Sequence, residues 1–252
     1  MGLDIYAGTF TRYYARSWKT ANQQFCEANG IEYHQIRADD TPPPPAEEVQ
    51  EGVNNWQNQL VEVLHNSGVK AAETWEENNE KDYYTAKPDW DAFYALLLYG
   101  AAKLLGKDFP REFPKGMDIY KHSLMKRIGK SKQAAGWSLY NGICHWIPIN
   151  DGIMFNFPLA NGAVVDIATI SLLKFELSKI NELGWNADRE TILGWSGTEG
   201  YPADATIENG KIEYLHRNDI YDTESLAKFA FSVLWEAAEF AEKERVPVIL
   251  DF

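Results

Sequence analysis

The sequence predicts an α+β fold: an antiparallel sheet, with a three-stranded meander at about residues 143–167, packed by several helices. Three observations carry this. Apolar residues recur at helical spacing in long blocks near 49–63, 89–105 and 226–240, as a buried helix face requires. Three short apolar runs, 143–149, 153–159 and 163–167, are separated by Asp151-Gly152 and Asn161-Gly162, dipeptides preferred where both turn residues need positive φ. Helical blocks flank the strand block, so the two kinds of element are segregated along the chain. The 252 residues fit one domain, 1–252, and with 45% hydrophobic and 13% aromatic residues a dense core is expected and disorder is not.

Taken in order, Leu3 to Thr9 reads as the first strand. Tyr14, Trp18, Ala21 and Phe25 then recur at helical spacing, giving a first helix that Gly30 ends. Pro42 to Pro45 form a stiff extended approach that cannot be helix interior. Behind them Val49, Val53, Trp56, Leu60 and Val63 mark a helix whose first turns carry Glu47, Glu48 and Glu51, where the helix dipole favours negative charge. Residues 73–87 are a polar, acidic connector. Asp89 is placed as the N-cap of an apolar helix to Leu105, with Gly106 past its end. A basic Gly/Pro/Lys-rich connector, about 107–136, holds a short helix around His122 to Ile128. After the meander come a helix from Thr169 to Leu183, stopped by Gly184, and a glycine-dense run from Leu193 to Tyr201, read as a turn-rich connector. A hairpin around Asn209-Gly210, a helix capped by Thr223 and a terminal strand from Val246 to Leu250 complete the chain.

The net charge of −13 is unevenly spread: 39–91 and 138–252 are strongly acidic, while 92–137 is basic. A phosphate-tracking surface needs net basic charge, so general binding to nucleic acid or anionic membrane is not expected; the basic stretch from Lys103 to Lys132 is the one place where an acidic ligand could land. A basic protein partner fits. Cys26 and Cys144 lie far apart in no metal-ligand spacing, so a reducing cytoplasm is the expected setting. No window reaches ~18 consecutive apolar residues, so no membrane span is expected. The five histidines form no metal motif, and Gly194-Trp195-Ser196-Gly197 is only part of a nucleophile elbow. No phosphate-loop or dinucleotide fingerprint is complete, so neither metal nor cofactor is expected.

Two places could carry chemistry. A strand running through Gly8-Thr9 into a helix offers free N–H groups to an anion. Arg12, Arg16 and Lys19 follow at i, i+4 and i+7, lining one side of that helix. With Trp18 as a stacking ring, Gly8, Thr9, Arg12, Arg16, Trp18 and Lys19 form a candidate set for a small phosphorylated or nucleotide ligand. The plainer reading pairs these cations with the chain's own carboxylates. Asp4 and Asp166 are the candidate acid–base groups. Two-residue turns would set Asp166 opposite Phe157, and Phe157 opposite Trp146, so a carboxylate would share a sheet face with two aromatics. Alternatively, Asp166 bonds the amides that open the following helix.

Asp4-Ile5-Tyr6-Ala7-Gly8-Thr9 resembles the first phosphate loop of the actin-like sugar kinases, and Val165-Asp166-Ile167-Ala168-Thr169 their second. Tyr6 stands where that family has a small glycine, the second fragment has no glycine, and the family's domain-sized repeat is missing. Met1-Gly2-Leu3-Asp4-Ile5-Tyr6, followed by Thr11-Arg12-Tyr13-Tyr14, resembles a family of uncharacterised bacterial proteins. That resemblance implies a bacterial cytosolic setting and carries no site residues. Two functional expectations result. One is an acidic interaction or inhibitor protein, of the immunity type, that covers a basic partner. The other is an enzyme or sensor for a small anionic ligand held at the opening strand-turn-helix.

Overall fold

Six strands pair in one sheet, and alternate residues along them feed two separate cores. The computed structural model describes residues 2–33, 42–203, 205–208, 211–214 and 218–252. The strands are β1 (Asp4–Ala7), β2 (Tyr84–Ala86), β3 (Glu112–Pro114), β4 (His145–Ile147), β5 (Met154–Pro158), β6 (Val164–Thr169), β7 (Ala205–Glu208), β8 (Lys211–Tyr214), β9 (Ile220–Asp222) and β10 (Val248–Asp251). The helices are α1 (Phe10–Tyr14), α2 (Ala21–Ala28), α3 (Ala46–Asn66), α4 (Asp89–Leu105), α5 (Ser123–Ile128), α6 (Ile170–Leu183), α7 (Arg189–Thr198) and α8 (Thr223–Glu244). The main sheet runs β2-β1-β10-β4-β6-β5, with β3–β9 and β7–β8 as separate two-stranded pairs.

Successive strand residues point to opposite faces. Leu3, Ile5, Ala7, Trp146, Val248 and Leu250 join the larger core with α4, α6 and α8. Tyr6, Ile147, Ile167 and Ile249 join the smaller one with Phe10 of α1 and Val53, Trp56, Leu60 and Leu64 of α3. The helix expected over 89–105 is buried from Ala95 through Ala102. That is why its apolar residues run all round it. It ends as read, with Gly106 left-handed at φ 60, where glycine carries no Cβ penalty.

The three central strands exist, but they are not a meander. β4 pairs with β6 in parallel, and β5 pairs antiparallel with β6, so β6 lies between β4 and β5. Asp151-Gly152 therefore turns no hairpin. The stretch after β4 is fastened where β6 meets α6: Thr169 Oγ1 donates to Asp151 O, and Ser171 Oγ, in the first turn of α6, donates to Ile149 O at 3.1 Å. Gly152 is not among the positive-φ residues, so the two-residue hairpin geometry is absent here.

The turn at Asn161-Gly162 does form a hairpin, with one more residue than expected. Leu159 N donates to Ala163 O at 2.8 Å, and Gly162 N donates to Leu159 O at 2.8 Å. Three residues, 160–162, thus span the loop, with Gly162 at φ 85. A one-residue change of register moves side chains to the other face, and Asp166 now faces Asn156 while Phe157 faces Val165.

Two further expectations change. The first helix is two: α1 ends at Tyr14 and α2 starts at Ala21, with Arg16 left-handed between them at φ 53. Thr20 opens α2 through a reciprocal capping box with Gln23, which restarts the helix and satisfies its first amides. The glycine-dense run is mostly helix α7, capped by Asp188, which accepts from Thr191 N at 2.8 Å. The expected hairpin near 205–215 forms as β7–β8, although its Asn209-Gly210 turn lies outside the described residues.

Candidate functional site

The opening stretch does hold an anion, and the anion is the chain's own. β1 leads through Gly8 and Thr9 into α1, whose N-cap Thr9 accepts from Arg12 N at 3.1 Å. The next two amides are taken by one carboxylate: Phe10 N donates to Glu77 Oε1 at 3.2 Å and Thr11 N to Glu77 Oε2 at 2.8 Å. Trp75 Nε1 adds a third donor to Oε1 at 2.8 Å. Glu77 is 3% exposed, and burial pushes its carboxyl above the usual carboxylate range against the pull of these donors. Gly8 is needed for close approach. A Cβ there would lie 2.4 Å from the Tyr6 hydroxyl, which folds back to donate to Thr9 O at 2.9 Å.

The cations of the candidate set do not form a row. The Arg12 guanidinium turns inward: it donates to Ser17 O at 2.8 Å and to Asn79 O, and lies 5.0 Å over the Tyr83 ring. Arg16 is exposed in the left-handed break after α1. Lys19 pairs with Glu27 at 2.8 Å on the surface. Trp18 packs at 4.8 Å from the Tyr6 ring and 5.9 Å from Tyr13. Internal partners hold the two Arg12 amino groups, Lys19 and the Trp18 ring, while the buried Arg12 Nε and Thr11 Oγ1 have no hydrogen-bond partner.

Asp166 is exposed and accepts from Asn156 Nδ2 at 3.0 Å. It caps no helix, since α6 starts beyond Thr169. The face it was to share with both Trp146 and Phe157 does not exist: Trp146 lies opposite Ala168, and Phe157 belongs to the smaller core.

Asp4 stands in a more telling place. It pairs across the sheet with Asp251, and Lys87 Nζ lies 3.6 Å from its carboxylate and 3.2 Å from Asp89. Burial raises the Asp4 carboxyl, partly offset by Lys87. Tyr13 donates to Asp251 at 2.6 Å. His145, on the neighbouring strand, is held down to about 4 by burial and is therefore neutral near pH 7. Asp4 Oδ1 and His145 Nδ1 are buried without a hydrogen-bond partner. Tyr13 and Asp251 escape the sequence as site residues because separate segments, far from Asp4 in the chain, supply them.

Ser196 lies inside α7, where its hydroxyl donates to Leu193 O at 2.9 Å, so the elbow-like tetrapeptide is not at a strand-to-helix turn. An open hollow of about 270 Å³ sits beyond the carboxyl ends of β4 and β6, lined by Pro148, Asn150, Ile170, Ser171, Glu242 and Arg245. Its charges are engaged, Glu242 with Lys174 and Arg245 with Glu73 at 3.5 Å. Among the described residues no group of three or more His, Cys, Asp or Glu side chains could hold a metal, and no helix is long and apolar enough to cross a membrane. Comparison with family models, with curated proteins and with solved structures yields no match.

Proposed function

We propose that this chain is an acidic interaction protein, of the inhibitor or immunity type, that covers a basic partner in a bacterial cytosol. The observation that carries the reading is Glu77. The amides that could hold a phosphate are satisfied from within, which leaves the opening motif as architecture. Binding then falls to the surface, where the charge is. Glu73, Glu76, Glu80 and Asp82 are exposed along the connector, and Glu242 is exposed near the end of α8. Arg245 ties these two regions together through Glu73. Surface carboxylates of this kind speed encounter with a basic protein and make it salt-sensitive. The alternative, an enzyme or sensor for a phosphorylated or nucleotide ligand, finds no free amide pair at α1 to work with.

Capture from cell lysate on the immobilised chain tests the reading. A basic protein retained at low salt and released at high salt is expected. Recovery of none at low salt, or retention that salt does not touch, would overturn it.

A further inference from the structure

Near the Asp4–Asp251 end of the sheet, four aromatic rings from three segments run side by side on the surface. Phe252 meets Trp90 at 5.0 Å, Trp90 meets Tyr94 at 5.2 Å, and Tyr94 meets Tyr120 at 6.0 Å. Phe252 and Tyr120 are 62% and 60% exposed, and Trp90 and Tyr94 are half-buried. Residues 89–94 belong to the first turns of α4, Tyr120 to a short turn before α5, and Phe252 to the stretch after β10. Trp90 and Tyr94 also pack against the larger core, whereas the exposed Tyr120 and Phe252 rings at the two ends of the strip are not part of it. A contiguous exposed aromatic patch marks an interaction surface.

The ring geometry and the surrounding charge say what fits. The rings are inclined to one another, at 68°, 35° and 78° along the strip, so they share no plane on which a row of flat groups could stack. A compact cation against ring faces needs no common plane. Carboxylates stand beside the rings: Asp89 and Asp91 flank Trp90 in sequence, Asp91 and Asp118 act on the Tyr94 hydroxyl, and Asp118 acts on Tyr120. Asp4 and Asp251 follow at the sheet end. The cations among them are already engaged. Lys121 is held by Asp118 at 3.1 Å, Lys87 is shared by Asp4 and Asp89, and Lys115 faces Asp91. These carboxylates outnumber the lysines that answer them.

We propose that this strip is the docking surface for the basic partner, with an arginine or lysine side chain set against Trp90, Tyr94 and Tyr120 and its charge facing Asp91 and Asp118. The inference rests on the interaction reading above and deepens it by naming the surface and the side chain it takes. The residues that carry most of the binding energy at protein interfaces are enriched in Trp, Tyr and Arg.

The test is titration of a hexa-arginine peptide into the full chain at low salt, followed by tryptophan fluorescence, with hexa-glutamate as control. The parent chain should bind hexa-arginine and not hexa-glutamate. Tyr120→Ala and Asp118→Asn, both at exposed positions, should each weaken binding about tenfold while melting like the parent. Glu51→Gln with Glu62→Gln, exposed on α3 and outside both the connector and the end of α8, should leave affinity within about twofold. If the Tyr120 and Asp118 variants bind hexa-arginine like the parent, the strip is overturned and the interaction reading stands. If the parent itself ignores hexa-arginine, the interaction reading falls with it.

Discussion

Glu77 is the residue on which the opening of the chain turns. Its carboxylate satisfies two helix-start amides and one indole N–H in a site that is 3% exposed. Removing a buried acceptor leaves each donor to bear its own desolvation. Glu77→Ala should therefore cost about 3 kcal/mol of stability in urea unfolding, and Glu77→Gln, which keeps one acceptor oxygen, about half of that. A loss below about 0.5 kcal/mol would mean the carboxylate is a bystander. Glu176 makes a second test at this scale. It is fully buried and accepts from Ser138 N, Ser138 Oγ and Leu139 N, yet burial outweighs these donors and lifts its carboxyl to about 7. The folded chain thus holds that proton more tightly than the unfolded one. Its stabilising contribution is complete below the unfolded value and is lost as pH rises through about 7. Chemical denaturation at several pH values should show stability falling from about pH 4.5 to about pH 7, and Glu176→Gln should flatten that slope. Neither glutamate was legible in the sequence as a site. Glu77 lay in a run that reads as a polar connector, and Glu176 in an amphipathic helix, because their partners are 66 and 38 residues away.

At the scale of elements, most helices and strands were legible and their pairing was not. The apolar block at 89–105, its terminal Gly106 and the short strands at 145–147, 154–158 and 164–169 all stand near their expected places. Periodicity reports burial, and burial decides whether an element exists. It does not report which strand lies beside which, so a β6 inserted between β4 and β5 was invisible. The register slipped because Asn161-Gly162 suits two turn types: the two-residue turn assumed, and the three-residue loop found, with Gly162 in the left-handed position. Gly162→Ala should accordingly cost about 1 kcal/mol, measured by thermal unfolding; no cost would mean the turn tolerates a Cβ at φ 85. The break before α2 did have a signal, Thr20-x-x-Gln23, that the helical spacing of Tyr14, Trp18 and Phe25 masked. α2 buries none of its residues, so its capping box carries much of its order. Thr20→Ala should speed amide exchange over 21–28 while the global unfolding midpoint stays put. Exchange over 21–28 that matches the parent's would show that packing, rather than the cap, holds α2.

For the whole molecule, charge and fold divide the work. Two apolar cores on either side of a mixed sheet absorb the large side chains, and the carboxylates in excess remain outside, on the connector, the end of α8 and the strip near Asp4 and Asp251. The net charge was readable at once. That the anion site of the opening stretch is filled was not, since the residue filling it is remote in sequence. Thermal unfolding of the parent chain with nucleotides, sugar phosphates and inorganic phosphate asks directly whether that filled site leaves room for an external anion. With Glu77 in place, no compound in the series should raise the melting temperature beyond what matched salt does. A ligand at ~100 times its Kd adds about 2.7 kcal/mol. A shift of that size, abolished by Arg12→Ala, would contradict an internally closed opening and return it to the status of a binding site.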